Sequence, residues 1–102
     1  MPYIASPFRP HLDPVIDEIA SRLREHFAWE VRHGATNYVI SRIVAESLMP
    51  DAGWGYSSLS RAVAVLEDAA AEMRRRLFDP YEDAARINNG DLPEYEQKQE
   101  QP

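Results

Sequence analysis

The chain contains no cysteine, which excludes disulfides, thiol nucleophiles and thiolate metal sites together. No apolar run approaches the roughly 18 residues a membrane-spanning helix requires. The opening residues Met1, Pro2, Tyr3 and Ile4 lack the basic segment and apolar core of a secretion signal, so a cytoplasmic location is expected. Glycine is scarce at four residues, with no glycine-rich phosphate loop and no glycine elbow around any serine. Lys98 is the sole lysine among eleven basic residues, and seventeen acids give a net charge of −6. Such a balance repels nucleic acid and anionic membrane surfaces. Half of that excess lies at the end, where Asp91, Glu94, Glu96 and Glu100 face Lys98 alone. The adjacent acids Glu67-Asp68 and Glu82-Asp83 diverge on a helix rather than converge on a substrate, so no active site is expected from them.

What remains is a chain of 102 residues, 44% apolar, enough for one small domain. Residues 1–12 hold Pro2, Pro7 and Pro10 among Tyr3, Ile4, Phe8 and Leu12, a pattern read as an extended apolar arm. Asp13-Pro14 opens a first helix, with the aspartate as N-cap and proline at the first helical position. Ile16, Ile19/Ala20, Leu23 and Phe27 follow at helical spacing, and Arg32, His33 and Gly34 read as its C-terminal signal. A second helix begins at Ala35 or Thr36 and buries Val39/Ile40, Ile43/Val44 and Leu48. Its β-branched content suits a strand, but apolar pairs four residues apart favour a helix. Pro50 ends it, and residues 51–55 form a turn.

Ser57 or Ser58 caps a third helix whose apolar face is Leu59, Ala62/Val63, Leu66, Ala69/Ala70, Met73 and Leu77. Asp79-Pro80 then breaks or kinks the path, with Asp79 and Glu82 as a capping box. A short fourth helix ends near Asn88, at Asn89-Gly90. From Asp91 on, periodicity is lost and residues 91–102 are expected to be a disordered acidic tail. The fold class that follows is all-α: residues 13–90 as a small antiparallel three-helix bundle with a short fourth helix. Trp29, Trp54, Tyr38 and the Phe8 arm exceed the needs of three short helices, which predicts an oligomer, most simply a dimer.

Chemistry-bearing groups are few. His26, Glu30 and His33 fall at i, i+4 and i+7, with His11 as a possible fourth ligand, but the zincin signature is missing and no metal or other cofactor is expected. A helix-turn-helix is disfavoured: Arg61 is the one basic residue early in the third helix, before Glu67-Asp68. Tyr38 and Arg42 are helical neighbours, and their guanidinium–ring pair is expected to reach Glu82 or Asp83. Asn37 is read as a helix cap. Of Arg74, Arg75 and Arg76, at least one is expected to pair back to Glu72 or Asp79, or to the Pro80-Tyr81-Glu82-Asp83 segment. As a ligand site, the same groups would be Asn37, Tyr38, Arg42, Arg75, Arg76 and Tyr81, gathered around an anionic small molecule at a subunit interface.

Three stretches carry a family likeness: Met1-Pro2-Tyr3-Ile4; Asn37-Tyr38-Val39-Ile40-Ser41-Arg42; and Arg75-Arg76 with Pro80-Tyr81-Glu82-Asp83, closing at Asn89-Gly90-Asp91. With these the chain resembles a family of small uncharacterised helical proteins encoded by phages, prophages and bacteria. The resemblance implies a stand-alone helical protein of the phage accessory kind and brings no catalytic residues. Two functions are therefore expected to compete: a non-enzymatic oligomeric interaction protein with a host or phage protein partner, and a nucleotide-sequestering protein that antagonises host defence signalling.

Overall fold

The computed structural model describes residues 3–96, which are helical with no strand among them. A 3-10 turn (Ser6–His11) leads into α1 (Asp13–His26) and α2 (Trp29–Leu48). After the turn at residues 49–55 come α3 (Tyr56–Met73), a π turn (Arg74–Phe78), α4 (Asp79–Asn89) and the single turn α5 (Pro93–Glu96). Among the described residues no helix is long and apolar enough to cross a membrane. The chain divides into two units, Met1–Val65 and Leu66–Pro102.

In the first unit, the segment expected to extend is coiled instead. Proline fixes φ near −65°, which suits a 3-10 turn as well as an extended arm. The Phe8 amide donates to the Ala5 carbonyl at 3.0 Å and the Leu12 amide to Arg9 at 2.9 Å, the i to i+3 pattern of that turn. Asp13 is not a cap: Leu12 precedes the helix and no side chain bonds the free amides. The first helix is also shorter than expected. Phe27 (φ −130°, ψ 121°) and Ala28 (φ −62°, ψ 157°) are extended, and the chain turns between His26 and Trp29.

Arg32 holds that corner. From the first turn of α2, its Nε donates to the Phe27 carbonyl at 3.1 Å and its Nη2 to the Arg24 carbonyl at 3.4 Å. These are carbonyls that a helix end leaves without partners. Gly34, expected to stop the first helix, lies inside α2. Residues 38–44 are helical, as the apolar pairs four residues apart favour over a strand, and α2 runs through to Leu48. Its end at Pro50 matches expectation: the Met49 amide closes on Ala45 at 3.2 Å, and Gly53, at φ 91°, donates to the Pro50 carbonyl at 2.9 Å. Ser58 serves α3 from inside its first turn. Its Oγ accepts from the Gly55 amide at 2.9 Å and donates to the Gly55 carbonyl at 3.1 Å.

In the second unit, the expected break at Pro80 is a change of helical register. Pro80 has no amide to offer the preceding turn, and the helix widens rather than ending. The Asp79 amide reaches back five residues to the Arg74 carbonyl, with Phe78 and Asp79 both in the right-handed helical region. The Asp79–Glu82 capping box does not form: α4 continues from Phe78, already in helical geometry, and no side chain caps its start. Gly90 ends α4 with φ 89°, as expected. Within the segment beyond Gly90, Asp91 Oδ1 accepts from the Leu92 amide at 2.8 Å, and the Tyr95 and Glu96 amides donate to the Leu92 carbonyl. Residues 97–102 of the expected tail lie outside the described residues.

Among the described residues Ala62, 6% exposed, is the one buried residue. Leu23 is half-buried, whereas Ile43 and Leu66 are exposed. The element contacts within the first unit are those of α1 with the 3-10 turn and with α2. A helix pair alone covers one side of each apolar stripe, so the other side stays open.

Candidate functional site

The six residues singled out from the sequence fall into two groups, one in each unit. Asn37, Tyr38 and Arg42 lie on α2; Arg75 and Arg76 lie on the π turn and Tyr81 on α4. On α2 the spacing of four stacks side chains along one surface. Asn37 is mid-helix, not a cap, because α2 starts eight residues earlier. Its Oδ1 accepts from the Ser41 hydroxyl at 3.1 Å. Arg42 Nη2 donates to Glu46 Oε1 at 3.4 Å. Tyr38 first, and the Glu46 carboxylate second, push the Arg42 guanidinium upward from its ordinary value. Glu46 thus fills the role assigned in advance to Glu82 or Asp83. It was missed, although the same i, i+4 rule that pairs Tyr38 with Arg42 also pairs Arg42 with Glu46.

The second group is anchored by an ion pair. Arg75 donates from Nε and Nη2 to Glu72 at 3.0, 2.7 and 3.1 Å, the forked geometry that arginine makes with a carboxylate. Glu72 is only 13% exposed in its side chain while Arg75 is 67% exposed. A guanidinium held this way offers less to an incoming anion. Arg76 is exposed on the same turn.

Arg74 behaves differently. Its guanidinium carbon sits 5.3 Å over the Phe78 ring, a cation–π contact. Together with Ala70, Met73, Leu77, Phe78 and Tyr81 it lines an open apolar groove of about 440 Å³. Tyr81 joins the groove as an apolar wall, at 73% exposure. Arg74 and this groove were not among the residues picked from the sequence. The signal was available in the spacing of Ala70, Met73 and Leu77, which was read as core.

The possible metal triplet loses its premise. His26 ends α1 while Glu30 and His33 lie on α2 beyond the corner, so they do not share one helical face. His33 instead meets Trp29 edge-on, with ring centroids 4.6 Å apart and planes at 74°. Among the described residues no group of three His, Cys, Asp or Glu side chains is placed to hold a metal ion.

Neither the curated proteins nor the solved structures contain a match to this chain. One family model does match, over residues 1–92. That span takes in the N-terminal segment, both groups of candidate residues and the end of α4 at Gly90. The chain belongs to the family described as a domain of unknown function (DUF6899).

Proposed function

We propose that the protein is a non-enzymatic helical interaction protein that works as an oligomer, in its simplest form a dimer. One observation carries this reading: large apolar side chains are exposed on every helix from α1 to α5, with Ala62 the one buried residue among those described. Ile16, Ile43, Leu66, Leu77 and Ile87 are each exposed by two-fifths or more. Exposed apolar side chains in such number on a small chain point to a protein–protein contact. The three-helix bundle is then completed between chains rather than within one, and Tyr3, Ile4 and Phe8 of the N-terminal segment, all exposed, add surface for a host or phage partner. A cytoplasmic protein of the phage or prophage accessory kind fits the net charge and the lack of catalytic motifs.

Light scattering during size-exclusion chromatography at tens of micromolar tests the reading. The expected result is a mass at least twice that of one chain. A monomeric mass, together with no partner recovered by affinity capture, removes it.

The nucleotide-sequestering alternative draws on Asn37, Tyr38, Arg42, Arg75, Arg76 and Tyr81. It is weakened because Arg42 and Arg75 are already paired with Glu46 and Glu72. Thermal-shift screening with cyclic and linear nucleotides decides it, since a bound ligand raises the melting temperature by mass action.

A further inference from the structure

The apolar groove of the second unit lies along a single helical path. Leu66, Ala70, Met73 and Leu77 succeed one another at spacings of four, three and four, the seam of a two-stranded coil. All four are exposed, Met73 and Leu77 by about two-thirds. Beside the seam stand two opposite charges. Glu67 follows Leu66, and Arg74 lies at the groove edge over Phe78.

We infer that this seam pairs with the same seam of a second copy, antiparallel, about a twofold axis passing between residues 71 and 72. The sequence of the seam is self-complementary in that one arrangement. Leu66 faces Leu77 of the second copy, and Ala70 faces Met73, so a small side chain meets a large one on each side of the axis. The same register sets Glu67 beside Arg74 of the second copy, and the twofold axis repeats the pair. Arg74 makes a cation–π contact in its own chain, which leaves its charge available for a carboxylate.

A parallel pairing loses these features. Met73 would oppose Met73, and Arg74 would lie near Ala69 of the other copy, with no carboxylate to meet it. A different protein would have to reproduce the order of small, large, acidic and basic groups that this chain already carries. Self-pairing needs no such coincidence. The inference rests on the oligomeric reading above and adds to it the surface, the orientation and the register.

The natural absence of cysteine makes the test direct. Two full-length variants, Leu66→Cys and Leu77→Cys, are oxidised separately and as an equimolar mixture. The expected product is a disulfide between the two variants in the mixture, with none in either variant alone. In the antiparallel pair, two copies of residue 66 are eleven residues apart along the coil, about 16 Å, beyond disulfide reach.

Charge exchange supplies a second measurement that leaves the seam intact. Glu67→Arg is expected to weaken the dimer about tenfold by turning two attractive pairs into repulsive ones. Adding Arg74→Glu to the same chain restores most of it. A disulfide within Leu66→Cys alone overturns the antiparallel register. So does a chain that stays dimeric but gives no mixed disulfide and no response to charge exchange, although the oligomeric reading then survives. An unmodified chain that is monomeric at tens of micromolar removes both.

Discussion

Tyr38, Arg42 and Glu46 show how far one residue's neighbours determine its chemistry. Each lies four positions from the next on α2, so the phenol and the carboxylate flank the guanidinium. Both stabilise the charged form and move the Arg42 pKa upward from an already high value. A pKa raised in the folded state contributes stability below the unfolded value and loses it only as pH climbs through the folded one. For Arg42 that window lies in strong alkali, far from neutrality. Tyr38→Phe, which removes the phenol oxygen, is therefore expected to lower the melting temperature slightly and by the same amount at pH 6 and pH 9. A difference that grows between those pH values would show that another titrating group carries the effect. Glu72 makes a second residue-scale case. It holds Arg75 through two nitrogens, yet Arg75 is largely exposed, so solvent screens the pair. Glu72→Ala is expected to cost about 1 kcal/mol or less in chemical denaturation.

At the level of elements, helix ends were legible where they are written in residues that act alone. Pro50 cannot continue α2, and Gly90 takes a positive φ that ends α4. The corner after His26 was not legible, because its cause is Arg32 reaching back from the next helix to the carbonyls of Phe27 and Arg24. Arg32 was correctly associated with the end of the first helix, but from within it. Gly34 misled for a related reason. Glycine permits a helix stop without requiring one, and here it adopts ordinary helical geometry inside α2 with open space where a Cβ would stand. Likewise Pro80 removes one amide, which a π turn accommodates without ending the helix. The two glycines then predict opposite outcomes. Gly34→Ala is expected to stabilise by about 0.5–1 kcal/mol, because alanine loses less backbone freedom and meets nothing. Gly90→Ala is expected to destabilise by about 1 kcal/mol or more, because a Cβ is strained at φ 89° whatever the space around it. Thermal melts of the two variants, compared at one protein concentration, give the sign of each.

On the scale of the whole molecule, the apolar periodicity runs along helices whose large apolar side chains are exposed. Leu23, Ile43 and Leu66 were read as one core because amphipathic stripes must be covered by something. Periodicity identifies the stripe and cannot say whether the cover comes from the same chain or another. A chain that buries Ala62 alone among its described residues has little to set against the conformational entropy of ordering each residue, about 1–2 kcal/mol. If the proposed oligomer forms, its helices depend on association, and folding and assembly become one equilibrium. Mass action fixes the consequence. A hundredfold dilution removes about 2.7 kcal/mol from a dimer, which for two chains of this length corresponds to a fall in melting temperature of about 5–10 °C. Circular dichroism between about 100 μM and about 1 μM, a hundredfold range, checks this. Helicity and melting temperature are expected to fall together on dilution. Curves that superimpose across that range would mean that one chain stabilises its own helices, and the apolar stripes would then need a different explanation.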